Sequence, residues 1–157
     1  MKTVSWGAFL RTDPELARHV EERLGDGRLC YQATVRPDGW PRLHPVGVNF
    51  RGEQMVVVMY PSSPKGGDIR ATGRYALHCG VEDNQGGGGE VLVTGTAGPT
   101  EAAAGDIDQG WIAFELSIGE VLATRYDGAE LRPVSTRWRA PRPGAGTRQP
   151  TPSLLSQ

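Results

Sequence analysis

Apolar positions in this chain recur at two spacings, and the spacing changes along its length. Between Asp13 and Gly25, Leu16, Val20 and Leu24 fall every fourth residue and Ala17 joins them, which predicts a helix with one apolar face. Asp13-Pro14-Glu15 is a start signal: a capping carboxylate, a proline at the first helical position and an acid in the first turn. Gly25 can end the helix, and His19 falls on its other, solvated face. From residue 28 the period drops to two. In 28–36, Leu29, Tyr31, Ala33 and Val35 face one way and Gln32, Thr34 and Arg36 the other, as in a half-buried strand. Pro37-Asp38-Gly39 is turn chemistry and leads into a second strand over 42–50. A third strand over 54–60 carries the run from Met55 to Tyr60 and suits burial on both faces.

Asp68 can cap a short helix that Gly73 stops, and 74–81 reads as a fourth strand. The glycine-rich stretch 82–89 is a loop, 90–97 a fifth strand, and 100–109 a weak helix behind a threonine cap. The long segment 111–126 puts Ile112, Phe114, Leu116 and Ile118 on one face, with Gly119 expected to bend or bulge it. Asp127-Gly128 is a hairpin signal before a last strand over 131–138. Strands and helices do not alternate regularly, so a doubly wound sheet is excluded. The pattern predicts a mainly β fold of six or seven antiparallel strands, closed into a barrel so that edges are removed, with a few short helices.

Composition agrees with many turns: 22 Gly and 12 Pro in 157 residues. One domain is expected over 1–139, followed by a mobile Pro/Gly/Arg tail over 140–157. A net charge of -1 gives no reason to expect nucleic acid as a partner. There is no secretory leader pattern and no run of membrane-spanning length, so a cytoplasmic protein is expected, with Cys30 and Cys79 as buried, inert, reduced thiols. His78 and Cys79 are adjacent on a strand and point to opposite faces, which argues against a shared metal ion.

The candidate chemistry lies between Pro41 and Arg70. With Arg51-Gly52-Glu53 as the turn and Phe50 opposite Gln54, His44 would face Tyr60 and Arg42 would face Ser62. Arg42 would then lie beside Ser62, Ser63, Pro64, Lys65, Gly66, Gly67 and Asp68. A guanidinium, an ammonium, hydroxyls and the N–H groups opening a helix suit a phosphate. His44 shares a strand face with Arg42, either as a contact to the ligand or as a structural hydrogen bond in the barrel wall.

The ordered series ATVRPDGWPRLHPV, MYPSSPKGGDIR, RYALHCGV and EVLVTGTA resembles the pyridoxamine 5'-phosphate oxidase-like family, the FMN-binding split β-barrels, over roughly residues 13 to 139. The resemblance implies a flavin-dependent oxidoreductase acting on a small molecule, built as a homodimer with an FMN at each of two sites between subunits. It further implies that Arg42, Ser63 and Lys65 hold the flavin phosphate. Met59 and Tyr60 would lie near the flavin ring, and Trp138 near the cofactor. Pro64 stands where the vitamin B6 oxidase has an arginine, and Arg137-Trp138-Arg139 lacks the histidine of the oxidase's closing Arg-x-His pair. The flavin site is therefore implied, and the oxidase's own substrate is not. Two alternatives share the fold: a reductase using coenzyme F420, with Lys65, Arg70 and Arg74 able to serve either cofactor, and a non-catalytic flavin- or haem-binding protein.

Overall fold

The computed structural model of the chain describes residues 1–25, 27–81, 87–101, 110–127 and 131–141. Its elements are α1 (Trp6–Thr12), α2 (Pro14–Leu24), β1 (Leu29–Val35), β2 (Pro41–Arg51), β3 (Gln54–Met59), α3 (Pro64–Thr72), β4 (Arg74–Cys79), β5 (Glu90–Thr100), β6 (Ile112–Asp127) and β7 (Arg132–Arg139). The architecture is a closed antiparallel barrel of six strands with one extra strand and three helices.

Closure depends on β6. One of its edges pairs with β5 along most of its length. The other edge is shared by three partners in turn: β3 at 112–115, Val4 at Ile118, and β7 at 120–127. Since β3 also pairs with β2, the sheet meets itself there, and β7 is left outside the ring. The ladder between β5 and β6 shifts register at Thr94/Gly95, so Thr94 faces Glu120 while Gly95 faces Ile118. Gly119 is the extra residue of this bulge, as expected from the sequence.

The core fills from both ends. Phe9, Val20, Leu24, Met55, Leu77, Phe114 and Leu116 are fully buried. α2 starts on Asp13, whose side chain accepts the Leu16 N–H, with Pro14 at the first position as expected. α1 has no counterpart among the expected elements. It is too short for a periodic run, and its only local signals are Ser5, which accepts the Ala8 N–H, and the i, i+3 pair Trp6 and Phe9. Packing secures it: the Trp6 ring lies 4.5 Å from Phe50 and the Phe9 ring 4.6 Å from Trp138.

Several expectations are corrected. The β2–β3 hairpin pairs Arg51 with Gln54 and Phe50 with Met55, one residue away from the expected register. Gly52 has φ 56, which lets a two-residue turn close the hairpin. The β2–β3 ladder spans Val48–Arg51 on β2, so His44 does not face Tyr60 and Arg42 does not face Ser62. Asp68 is inside α3; the N-cap is Ser63, because Pro64 takes the first helical position. Gly73 does end α3, in the left-handed conformation. β5 runs on to Thr100, and most of the helix expected over 100–109 lies outside the described residues, as does most of the 140–157 tail. His19 is not solvated: its side chain is only 14% exposed.

The faces of β1 are reversed from the usual assignment of apolar residues to the interior. Cys30, Gln32 and Thr34 are buried, whereas Leu29 and Tyr31 are exposed. On β2, Leu43 is 66% exposed and sits opposite Ala33, while Pro45 faces Tyr31 and Pro41 faces Val35. These residues form a continuous apolar patch on the outside of the barrel.

Candidate functional site

The site is organised by the first turn of α3. Tyr60 O accepts the Ser63 N–H at 2.9 Å, which folds the chain back, and Ser63 O accepts the Gly66 N–H at 3.0 Å. The Ser63 hydroxyl does not cap the helix. Gly66 is buried against β3 and β6: a Cβ there would lie 3.2 Å from Met59 Sδ and 3.4 Å from Ile112 Cδ1. The missing side chain lets the helix start sit close on the barrel.

One turn further on, Asp68 is buried against the first hairpin, its side chain 4% exposed. Its Oδ2 accepts from Thr34 Oγ1 at 2.8 Å and from Arg42 Nε at 2.8 Å. Thr34 and Arg42 are direct cross-strand partners, so one carboxylate clasps the helix to both strands of the first hairpin. Burial alone would push the Asp68 carboxyl up. Hydrogen bonds from Arg42 and Thr34, with the charges of Arg42 and Arg36, outweigh it and hold the group below the usual carboxylate range. Arg42 Nε is thereby fixed.

His44 follows two residues along β2, on the same face as Arg42 and opposite Gln32. Burial, then the charges of Lys65 and Arg42, depress its pKa below the ordinary histidine value; Asp68 opposes this only in part. The imidazole is therefore neutral near pH 7, and both cations lie within electrostatic reach of it. Lys65 is depressed by burial, and no carboxylate pairs with it among the described residues. His44 Nε2 and both amide atoms of Gln32 are buried without a hydrogen-bond partner among the described residues. Unmet polar atoms on two facing residues mark a place that a water or ligand group must satisfy.

Lys65 and Arg42 both act electrostatically on His44, and Arg42 is held by Asp68 of α3, whose N-cap is Ser63. Met59 is buried under Gly66, so its side chain belongs to the core. Tyr60 is 61% exposed, its ring 4.5 Å from that of Trp111. Trp138 is not part of this group within one chain; it packs edge-on against Phe9, on the strand outside the barrel ring. The sequence puts Asp68 in the stretch beside Arg42, but as a helix cap; that Asp68 and Thr34 position Arg42 is not read from it. The available signal was a polar residue on each side of the Pro37–Gly39 turn at matching distance, Thr34 and Arg42. The fourth contributor, Gln32, is visible only as a polar residue on the face that turns inward.

No family model matches the chain, and no curated protein matches it. Solved structures do, and they define the fold as a split β-barrel, the fold of pyridoxamine 5'-phosphate oxidase-like proteins. The chain is similar to PhzG from Burkholderia lata, solved in complex with tetrahydrophenazine-1-carboxylic acid, with TM-score 0.63, 12% identity, and coverage of 85% of this chain and 87% of that one. It is similar to a putative pyridoxamine 5'-phosphate oxidase from Listeria innocua, with TM-score 0.55, 12% identity and coverage of 72% and 97%. An F420 reductase aligns with TM-score 0.50, 17% identity and coverage of 64% and 94%. No described helix is long and apolar enough to cross a membrane.

Proposed function

We propose that this chain is an FMN-binding oxidoreductase, acting on a small molecule from sites formed between two copies of itself. The observation that carries this reading is that Arg42, His44 and Lys65 lie within electrostatic reach of one another beside α3, with Arg42 held by Asp68 and the lysine unpaired by any carboxylate among the described residues. Such a donor set suits a phosphate monoester. Arg42 is pre-oriented by Asp68, Lys65 adds a point charge, and Ser63 offers its hydroxyl. Neutral His44 contributes a hydrogen bond without adding charge. When bound, FMN would supply the hydride or electron chemistry; the chain's own residues bind and orient it and keep water out. Coenzyme F420 is the second reading: its long phosphate-bearing tail also needs cations, and Lys65, Arg70 and Arg74 suit either cofactor.

Titration of the purified protein with FMN and with F420, followed by absorbance and fluorescence, tests both readings. Tighter binding of FMN is expected. Preference for F420 selects the second reading, and binding of neither removes the proposal.

The homodimer rests on the exposed apolar patch of β1 and β2, which a monomer would leave in water. Leu43→Glu is expected to shift the protein from dimer to monomer by light scattering and to weaken FMN binding, with little change in monomer stability, because the side chain is exposed. A monomeric wild-type protein would refute the interface.

A further inference from the structure

The two cysteines of the chain, 49 positions apart, are brought face to face by the fold. Cys30 of β1 and Cys79 of β4 are direct cross-strand partners, and theirs is the last rung of that ladder. Directly opposed residues of an antiparallel pair project to the same face, with Cα atoms about 4.5–5.5 Å apart. That separation lies inside the range a disulfide spans, about 4.4–6.8 Å. Both thiols are free and buried in the barrel core.

Their surroundings differ. Cys30 Sγ donates to Leu24 O at 3.5 Å, and burial pushes its thiol up to about 11, with the nearby Cys79 adding to the effect. Cys79 Sγ is met by donors: the Val91 N–H at 3.2 Å and the guanidinium of Arg23 at 3.9 Å. Arg23 is itself held by Gly80 O and Gly89 O, at 3.0 and 3.2 Å, so this cation is anchored beside the sulfur. Arg23 acts on Cys30 as well, and Cys79 Sγ also reaches Gly89 O at 3.9 Å, so the difference between the two sulfurs is the Val91 N–H that donates to Cys79 Sγ. Cys30 is 0% and Cys79 1% exposed, so an oxidant reaches the pair only when this end of the ladder, at the last residue of β4, opens locally.

We propose that Cys30 and Cys79 are a reversible redox site, in which peroxide oxidises Cys79 first and Cys30 resolves it to a cross-strand disulfide. In the first step the Cys79 thiolate attacks one oxygen of hydrogen peroxide. An S–O bond forms, the O–O bond breaks, and the leaving hydroxide takes up a proton as water. In the second step Cys30 sulfur attacks the sulfenic sulfur of Cys79. The S–S bond forms, the S–O bond breaks, and a second water leaves. Two thiols and one hydrogen peroxide thus give one disulfide and two waters, the sulfurs losing two electrons and the peroxide gaining them. This site is independent of the cofactor reading, since none of Arg42, His44, Ser63 or Lys65 takes part.

The disulfide is tested on the wild-type protein and the order of attack on two variants. Folded protein is exposed to hydrogen peroxide, then denatured in an alkylating reagent and weighed intact. The expected result is a chain lighter by two hydrogens with no alkylation, returning to two alkylated thiols after reduction. Two alkylated thiols after peroxide, or a Cys79 carrying added oxygen beside an alkylated Cys30, would overturn the proposal. In Cys30→Ala, a sulfenic acid trapped by dimedone on Cys79 is expected. Trapping on Cys30 in Cys79→Ala, with none on Cys79 in Cys30→Ala, would overturn the assigned order of attack.

Discussion

Gly95→Ala is expected to prevent stable closure of the barrel. Gly95 lies at the bulge where β5 crosses β6, and a Cβ built there falls on the carbonyl oxygen of Ser117 and 3.0 Å from its carbon. These are backbone atoms of a strand paired along both edges, so they cannot swing aside as a side chain would. Relief requires moving β6, which carries the β3, β5 and β7 pairings together. Overpacking of this kind costs about 3 kcal/mol or more. Gly98→Ala supplies the comparison. It is three residues along the same strand, nothing lies within 4 Å of where its Cβ would stand, and the change should stay within about 0.5 kcal/mol. Urea unfolding of both variants checks this. Equal midpoints would show that the bulge does not depend on the close approach.

Arg42→Ala is expected to lose both stability and cofactor affinity, whereas Lys65→Ala loses affinity alone. Removing the guanidinium leaves the Asp68 carboxylate buried with only the Thr34 hydroxyl for a partner, a loss of about 2–4 kcal/mol. Removing Lys65 breaks no ion pair among the described residues, and its effect should appear as at least tenfold weaker FMN binding, about 1.4 kcal/mol. The pH dependence separates the two variants further. In the native protein the folded pKa of Asp68 lies below its unfolded value. The stability it contributes is thus complete above the unfolded value, about pH 4, and is lost as pH falls through the folded one. In Arg42→Ala the burial that raises the pKa is no longer opposed by the arginine. The sign reverses: protonation of the buried acid is favoured, and the deficit relative to wild type narrows on going from pH 7 to about pH 5. Urea midpoints of the two proteins at both pH values measure this. A deficit that does not change with pH would mean that Asp68 is not the group left behind.

Much of the fold is legible locally. Pro14 after Asp13, Gly73 after α3, the Pro37–Gly39 turn and the bulge at Gly119 each follow from the conformation that one or two residues prefer, and each is where the sequence puts it. The site is legible in part. Arg42, His44 and Lys65 stand out in the sequence, but by a route the structure does not use. The expected route sets Arg42 opposite Ser62 across the β2–β3 ladder, with the stretch to Asp68 beside it. The ladder does not reach Arg42; Asp68 does, from a helix that folds back over the hairpin.

Periodicity states which residues share a face, and it does so correctly for β1 and β2. It does not state which face turns inward. That choice belongs to the whole barrel: α3 brings Asp68 over the end of the first hairpin, a buried carboxylate needs Thr34 and Arg42 as partners, and the polar face therefore turns in. The apolar face of Leu29, Tyr31 and Leu43 is then left outside. Strands, turns and helix ends could be read from the chain alone, because they depend on the preferences of adjacent residues. The one-residue register of the hairpin, the inward face of β1, the clasp on Arg42 and the meeting of Cys30 with Cys79 could not. Each is set when segments distant in the chain pack against one another.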